Sequence, residues 1–219
     1  MKILSIEHVN LRVLTNDIAL GKIICLPTDT IYAISSDATN ELAIQKIYQV
    51  KNRPISKTLS IFVSDINMAQ EYIIFSLKQL QFAKKIWPGP ITIISQVLNN
   101  LKLPSILINN NKVALRVPNN IFIQNICKQL NRPIIATSAN ISSQIYNNDI
   151  IALKRIFSNY VDTLITTPHS ARNNNKKPSS IIELTSSGFK VVREGKLTSK
   201  QISKVFEKIN YKLPKSSRR

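Results

Sequence analysis

Apolar residues fall along this chain in short runs rich in Ile and Val, each bounded by polar or turn-forming residues. Eight runs have the character of buried strands: 22–26, 59–63, 91–97, 113–117, 133–137, 163–166, 180–184 and 190–193. Helical spacing lies between several of them. Over 40–51, Ala43, Ile47 and Val50 fall on one face. Ser76-Leu77-Lys78-Gln79 has the Ser-x-x-Gln form of a capping box ahead of Leu80 and Ala83, and Asn119 or Asn120 can cap a helix running to about Leu130. Many strands interleaved with a handful of helices predict an α/β or α+β fold around one large mixed sheet.

The C-terminal helix is the most sharply patterned. Thr198 and Gln201 form a second capping box, Ile202, Val205, Phe206 and Ile209 recur at i, i+3, i+4 and i+7, and Pro214 stops the pattern. Lys196, Lys200, Lys204, Lys208 and Lys212 recur every fourth residue, so those within the helix form a basic stripe away from the apolar one. A solvated face explains the stripe; contact with a phosphate backbone is the alternative.

With 219 residues, 43% of them hydrophobic, one sizeable domain is expected. Thirty Lys and Arg against twelve Asp and Glu give a net charge of +18. That balance suits polyanionic partners, and it also follows from compositional drift towards Lys, Asn and Ile. Cys25 and Cys127 lack metal-ligand spacing and read as buried thiols of a reducing cytosol. No apolar run reaches the roughly 18 residues of a membrane span, and the N-terminus has no signal-peptide core. A cytoplasmic protein without a membrane partner is the expectation.

The inventory excludes several mechanisms. The glycines, Gly21, Gly89, Gly188 and Gly195, cannot build a phosphate loop or a dinucleotide-binding turn. His8 and His169 are the only histidines, which argues against a zinc site or a Ser-His-Asp relay. What remains is cations and hydroxyls at strand ends. Pro27-Thr28-Asp29-Thr30 follows the first strand-like run, and Ala136-Thr137-Ser138-Ala139-Asn140 closes another. Lys51, Arg53 and Lys57 share a turn that Pro54 bars from the preceding helix, where they can wrap a polyphosphate or compensate a helix dipole. Arg116, inside an apolar strand, needs an anionic partner, either a ligand carboxylate or a structural Asp or Glu. Strand ends are where open α/β sheets bind ligands.

These segments resemble one family. Leu26 to Tyr32, Lys51-x-Arg53 with Pro54 and Lys57, Trp87 to Thr92, Val113 to Pro118, Ala136 to Asn140 with Ser142, Ser179 to Leu184, and Val192 to Gly195 appear in the order seen in YrdC-like threonylcarbamoyl-AMP synthases, over roughly residues 10 to 205. The resemblance implies a twisted open mixed sheet of α/β class, flanked by helices, with a large basic cavity. It implies a single catalytic domain over 1–210, followed by a basic tail, 211–219.

The reaction it implies joins L-threonine, bicarbonate or CO2, and ATP into threonylcarbamoyl-adenylate and pyrophosphate, with Mg2+ accompanying ATP. The product would pass to a downstream complex that modifies adenosine 37 of tRNA. Carried over residue by residue, Lys51, Arg53 and Lys57 would be catalytic. Arg53, Lys57, Lys112, Ser138, Asn140, Tyr146 and Arg193 would hold ATP, and Thr30, Arg116, Ala136 and Ser179 would hold threonine. Attack of a carbamate oxygen on phosphorus needs positioning and charge neutralisation rather than a protein nucleophile, and this inventory supplies those.

The chain departs from the pattern in places. Tyr32-Ala33-Ile34 and Ser142-Ser143 each lack a glycine usual in the family, which is costly if either position needs positive φ. Lys112 stands where a Thr is common, and the loop Thr166 to Lys177 carries Pro168, His169 and an Asn run where the family is glycine-rich. Two other readings compete: an RNA-binding or ribosome-maturation factor contacting tRNA or double-stranded RNA through the basic cavity and lysine stripe, and a domain that binds nucleotide without turnover.

Overall fold

The computed structural model describes residues 1–99, 102–144, 149–168 and 177–210. The expected basic tail and Tyr146 lie outside the described residues, as does most of the Asn-rich loop. Ten strands form one mixed sheet: β1 (Lys2–Ser5), β2 (Ile24–Leu26), β3 (Ala33–Ser35), β4 (Ser60–Phe62), β5 (Ile91–Gln96), β6 (Lys112–Arg116), β7 (Ile134–Ser138), β8 (Thr163–Thr166), β9 (Ser180–Leu184) and β10 (Phe189–Arg193). Their spatial order is β1-β8-β2-β3-β7-β4-β6-β5-β9-β10. Parallel pairs such as β2–β8 and β4–β6 alternate with antiparallel ones such as β3–β7 and β5–β6. All eight sequence-predicted strands are present, 163–166 and 180–184 to the residue and the other six with ends shifted by a residue or two.

Among the described residues seven α-helices accompany the sheet: α1 (Leu11–Ala19), α2 (Glu41–Val50), α3 (Ile66–Gln70), α4 (Leu77–Ile86), α5 (Ile121–Leu130), α6 (Ile150–Phe157) and α7 (Ser199–Asn210). Their starts are chemically fixed. Asn40 accepts from the amide of Ala43, Ser76 and Gln79 close a reciprocal capping box, and Asn120 accepts from Ile123 N. α5 ends at Asn131 with φ 52°, a left-handed conformation that Asn tolerates.

The core is built from the Ile- and Val-rich strands and the apolar helix faces. Ile24, Ile34, Ile61, Ile93, Leu115 and Ile135 are fully sealed from solvent. At the β10 edge, Phe82 of α4, Phe189 of β10 and Phe206 of α7 meet with ring centroids 5.2 to 5.7 Å apart. This cluster fixes α7 by the face the spacing predicted, leaving Lys200, Lys204 and Lys208 in solvent.

Candidate active site

Five strand ends and one helix end converge on one cavity. Thr30 follows β2, Arg116 closes β6, Ser138 closes β7, Ser179 precedes β9, Arg193 closes β10, and Arg53 follows α2. All six line a cavity of about 200 Å3, together with Thr28, Thr92 and Ala136. Its described lining holds three guanidinium groups and no carboxylate.

Arg116 is buried, 3% exposed, and its bonds explain how the chain tolerates it. Nε donates to Gly89 O at 2.9 Å, Nη1 to Thr30 Oγ1 at 3.0 Å and Nη2 to Asp29 Oδ1 at 2.5 Å. Burial lowers its pKa and Asp29 opposes that shift. The required anionic partner is therefore a structural Asp. Of the five guanidinium N–H groups three are engaged here, leaving two for a ligand. Thr30 Oγ1 also lies 3.0 Å from Thr28 Oγ1, whose hydroxyl donates to Ile31 O at 2.7 Å. The hydroxyl-rich segment after β2 is thus a bonded floor, not a loose turn.

At the opposite side Arg53 is fixed by its own turn: Nε donates to Lys57 O at 2.8 Å and Nη2 to Thr58 O at 2.9 Å. Arg193 Nη2 donates to Ser179 O at 2.7 Å, while Ser179 Oγ lies 3.0 Å from Thr92 Oγ1. Burial lowers the pKa of both arginines, and Arg53 further lowers that of Arg193. Neither has a carboxylate partner within 4 Å among the described residues. A pair of mutually repelling guanidiniums over a hydroxyl-lined hollow has the chemistry to accept anionic groups.

Gly195 makes the Arg193 strap possible. A Cβ there would lie 2.3 Å from Pro178 O and 2.5 Å from Ser179 O. The bare backbone lets Lys196 N donate to Pro178 O at 2.8 Å and Gly195 N to Ser180 Oγ at 3.1 Å.

Other sequence candidates stand elsewhere. Lys51 is 1% exposed, and its Nζ donates to Ser138 O, to Asn140 O at 2.6 Å and to Asn140 Oδ1 at 3.4 Å. Burial first, then Arg53, lowers its pKa to about 7. Asn140 sits behind the cavity wall, its Oδ1 accepting from Ser138 Oγ at 2.6 Å. Lys57 is exposed outside the lining, and Lys112 pairs with Glu183 at 2.5 Å, again outside it. Of the two missing glycines, Ala33 lies in β3 without positive φ, whereas Ser143 has φ 65°. Asp29, Thr28 and Thr92 were not assigned from sequence. Asp29 and Thr28 sit in the first polar segment and Thr92 ends the Trp87 segment, so position was the available signal.

Sheet and cavity together define an α/β domain that gathers guanidinium and hydroxyl groups at strand ends. The family model for Sua5, YciO and YrdC proteins, described as "Telomere recombination", matches residues 16–195, and the chain belongs to this family. It is 30% identical over 196 residues to a putative threonylcarbamoyl-AMP synthase of Methanocaldococcus jannaschii, covering 89% of each chain. A threonylcarbamoyl-AMP synthase of Psychromonas ingrahamii is 40% identical over 126 residues, 55% of this chain and 64% of that one. The crystal structure of P. abyssi Sua5 complexed with L-threonine superposes with a TM-score of 0.83 at 25% identity, over 94% of this chain and 61% of that longer one. No described helix is long and apolar enough to cross a membrane.

Proposed function

We propose that this protein is a threonylcarbamoyl-AMP synthase, joining L-threonine, bicarbonate or CO2, and ATP into L-threonylcarbamoyl-adenylate and pyrophosphate for modification of adenosine 37 in tRNA. One observation carries the reading: in a chain of this family, a cavity lined by Arg53, Arg116 and Arg193, with hydroxyls and no carboxylate among its described lining. Curated relatives bear that activity in their names.

The two ends of the cavity divide the work. Arg116 uses its remaining N–H groups for the threonine carboxylate, with the Thr30 and Ser179 hydroxyls beside it. Arg53 and Arg193 hold the triphosphate, with Ser138 at the wall. The N-carboxylate of threonine attacks the α-phosphorus and pyrophosphate leaves. Both steps concentrate negative charge, so fixed guanidiniums in a recessed site lower the barrier by position and charge rather than by covalent catalysis. Mg2+ belongs to the ATP substrate: among the described residues no group of three His, Cys, Asp or Glu could hold it, and the lining offers no carboxylate ligand.

The test is pyrophosphate release by the purified protein with ATP, Mg2+ and bicarbonate, with and without L-threonine, alongside mass detection of the adenylate. Threonine-dependent release that yields the adduct and falls at least a hundredfold in Arg53→Ala supports the reading. ATP binding without threonine-dependent release overturns it.

A further inference from the structure

Lys51 is among the largest side chains sealed from solvent in the described residues, and its chemistry does not match its sequence neighbours Arg53 and Lys57. Those two lie at the cavity or in solvent; Lys51 is absent from the cavity lining. Its ammonium meets only uncharged oxygens, the carbonyls of Ser138 and Asn140 and the amide oxygen of Asn140. Its own carbonyl accepts from Ser142 N at 2.8 Å. One residue at the C-terminus of α2 therefore grips the 138–142 turn at three points, 87 to 91 positions away in sequence.

The start of that turn is held by β3, where Ser138 pairs with Ala33 and Ala139 N donates to Tyr32 O at 2.8 Å, while its far side rests on Lys51 and on bonds within the turn. It leaves β7 at Ser138, whose hydroxyl lines the cavity and donates to Asn140 Oδ1. The Asn140 amide nitrogen reaches on to Ile141 O and Gln144 O. Withdrawing Lys51 would leave Asn140 O without its ammonium donor and Ser138 O with the Asn140 amide alone, at 2.9 Å, in a partly buried space, which a protein relieves by moving the backbone. Ser138 would move with it.

We infer that Lys51 is a positioning residue, not a phosphate ligand: it pins the Ser138–Asn140 turn from behind so that the turn presents the nucleotide-facing wall of the cavity. The inference rests on the nucleotide reading of that cavity, and it reassigns a cation that sequence alone places on the phosphates. Arg53 then carries the phosphate charge from that element. The ligand need not approach Lys51 at all.

ATP affinity measured by calorimetry for wild type, Lys51→Met, Asn140→Ala and the double variant separates the two roles. A pin acting through the turn gives single losses of about tenfold and a double variant no weaker than the weaker single one, since the second change removes what the first has already released. A direct phosphate ligand gives losses that multiply towards a hundredfold, which overturns the inference. Should Lys51→Met not fold, the lysine Cε resonance of the wild-type protein decides. Its midpoint of titration stays within 0.3 pH of the free value on saturation with ATP if Lys51 is a pin, whereas a rise of about a unit or more marks a contact with phosphate. Wild type that binds no ATP overturns the nucleotide reading itself, an outcome distinct from either result for Lys51.

Discussion

Asp29→Asn isolates the balance on which the threonine end depends. Asp29 places Oδ1 2.5 Å from Arg116 Nη2, with side chains 11% and 4% exposed. Removing the charge leaves Arg116 buried with two neutral acceptors, Thr30 Oγ1 and Gly89 O. Breaking a buried ion pair by deleting one partner costs about 3–5 kcal/mol. Because two bonds persist and Asn can still accept one, the lower end applies, about 3 kcal/mol. Unfolding entropy of about 2 cal/mol/K per residue over 219 residues makes that a fall in Tm of roughly 7 °C. The sharper outcome concerns ligand. Threonine brings a carboxylate that substitutes for the missing one, so L-threonine raises the Tm of Asp29→Asn by several degrees more than that of wild type. Differential scanning fluorimetry with and without L-threonine, with D-threonine as control, reads both effects. A variant melting within 1 °C of wild type, or one that gains no more from L-threonine than wild type does, refutes the claim that Asp29 and the threonine carboxylate both compensate the Arg116 guanidinium.

Three further outcomes follow from single residues. The folded-state pKa of Lys51 is lowered from 10.5 to about 7, so above pH 7 the unfolded chain binds the extra proton and stability rises with pH; below pH 7 the cost of charging the amine is borne in full. Between pH 7 and 8.5 that is about 2 kcal/mol by denaturant titration, with Lys51→Met lacking the slope; burial raises the pKa of the Cys25 and Cys127 thiols, which oppose the trend only at higher pH. Gly195→Ala drives a methyl to 2.3 Å from Pro178 O, so the strap lifts and Arg193 leaves Ser179; a loss of about 1–3 kcal/mol in stability and a tenfold or greater rise in KM for ATP are expected by melting and by steady-state kinetics. Ser143→Gly relieves φ 65° and raises stability by about 0.5–1 kcal/mol in the same melting assay, with catalysis unchanged.

The sequence made local physics plain and long-range pairing opaque. Helix caps at Ser76 and Thr198, and the one offered by Asn119 or Asn120, were readable because each is settled within four residues; Asn120 is the cap in the fold. Strands 163–166 and 180–184 were readable to the residue because apolar composition and flanking turn residues agree there. β3 was not, since its run Ala33-Ile34-Ser35 looks half polar. Ser35 is nonetheless sealed, its hydroxyl donating to Ile135 O of β7, a partner 100 positions away. β1, α1, α3 and α6 also went unread. α1 has an Asn10 cap and buries Leu14 and Ile18, but its polar residues dilute the apolar face. β1 pairs only with β8, from the far end of the chain.

The site divides in the same way. Arg116 needed an anion by a local argument, the cost of burying a guanidinium, but which anion depended on a chain reversal that puts Asp29 opposite it across 87 positions. The Lys51 motif shows the converse. A Lys-x-Arg pair suggests two cations with one task, yet residues two apart at a helix end point in different directions. Lys51 follows the helix inward to unsatisfied carbonyls while Arg53, past the helix, turns to its own loop and the cavity. Sequence spacing therefore singled out segments that the fold brings to one cavity, while burial decides which of their side chains line it and which stand behind its wall.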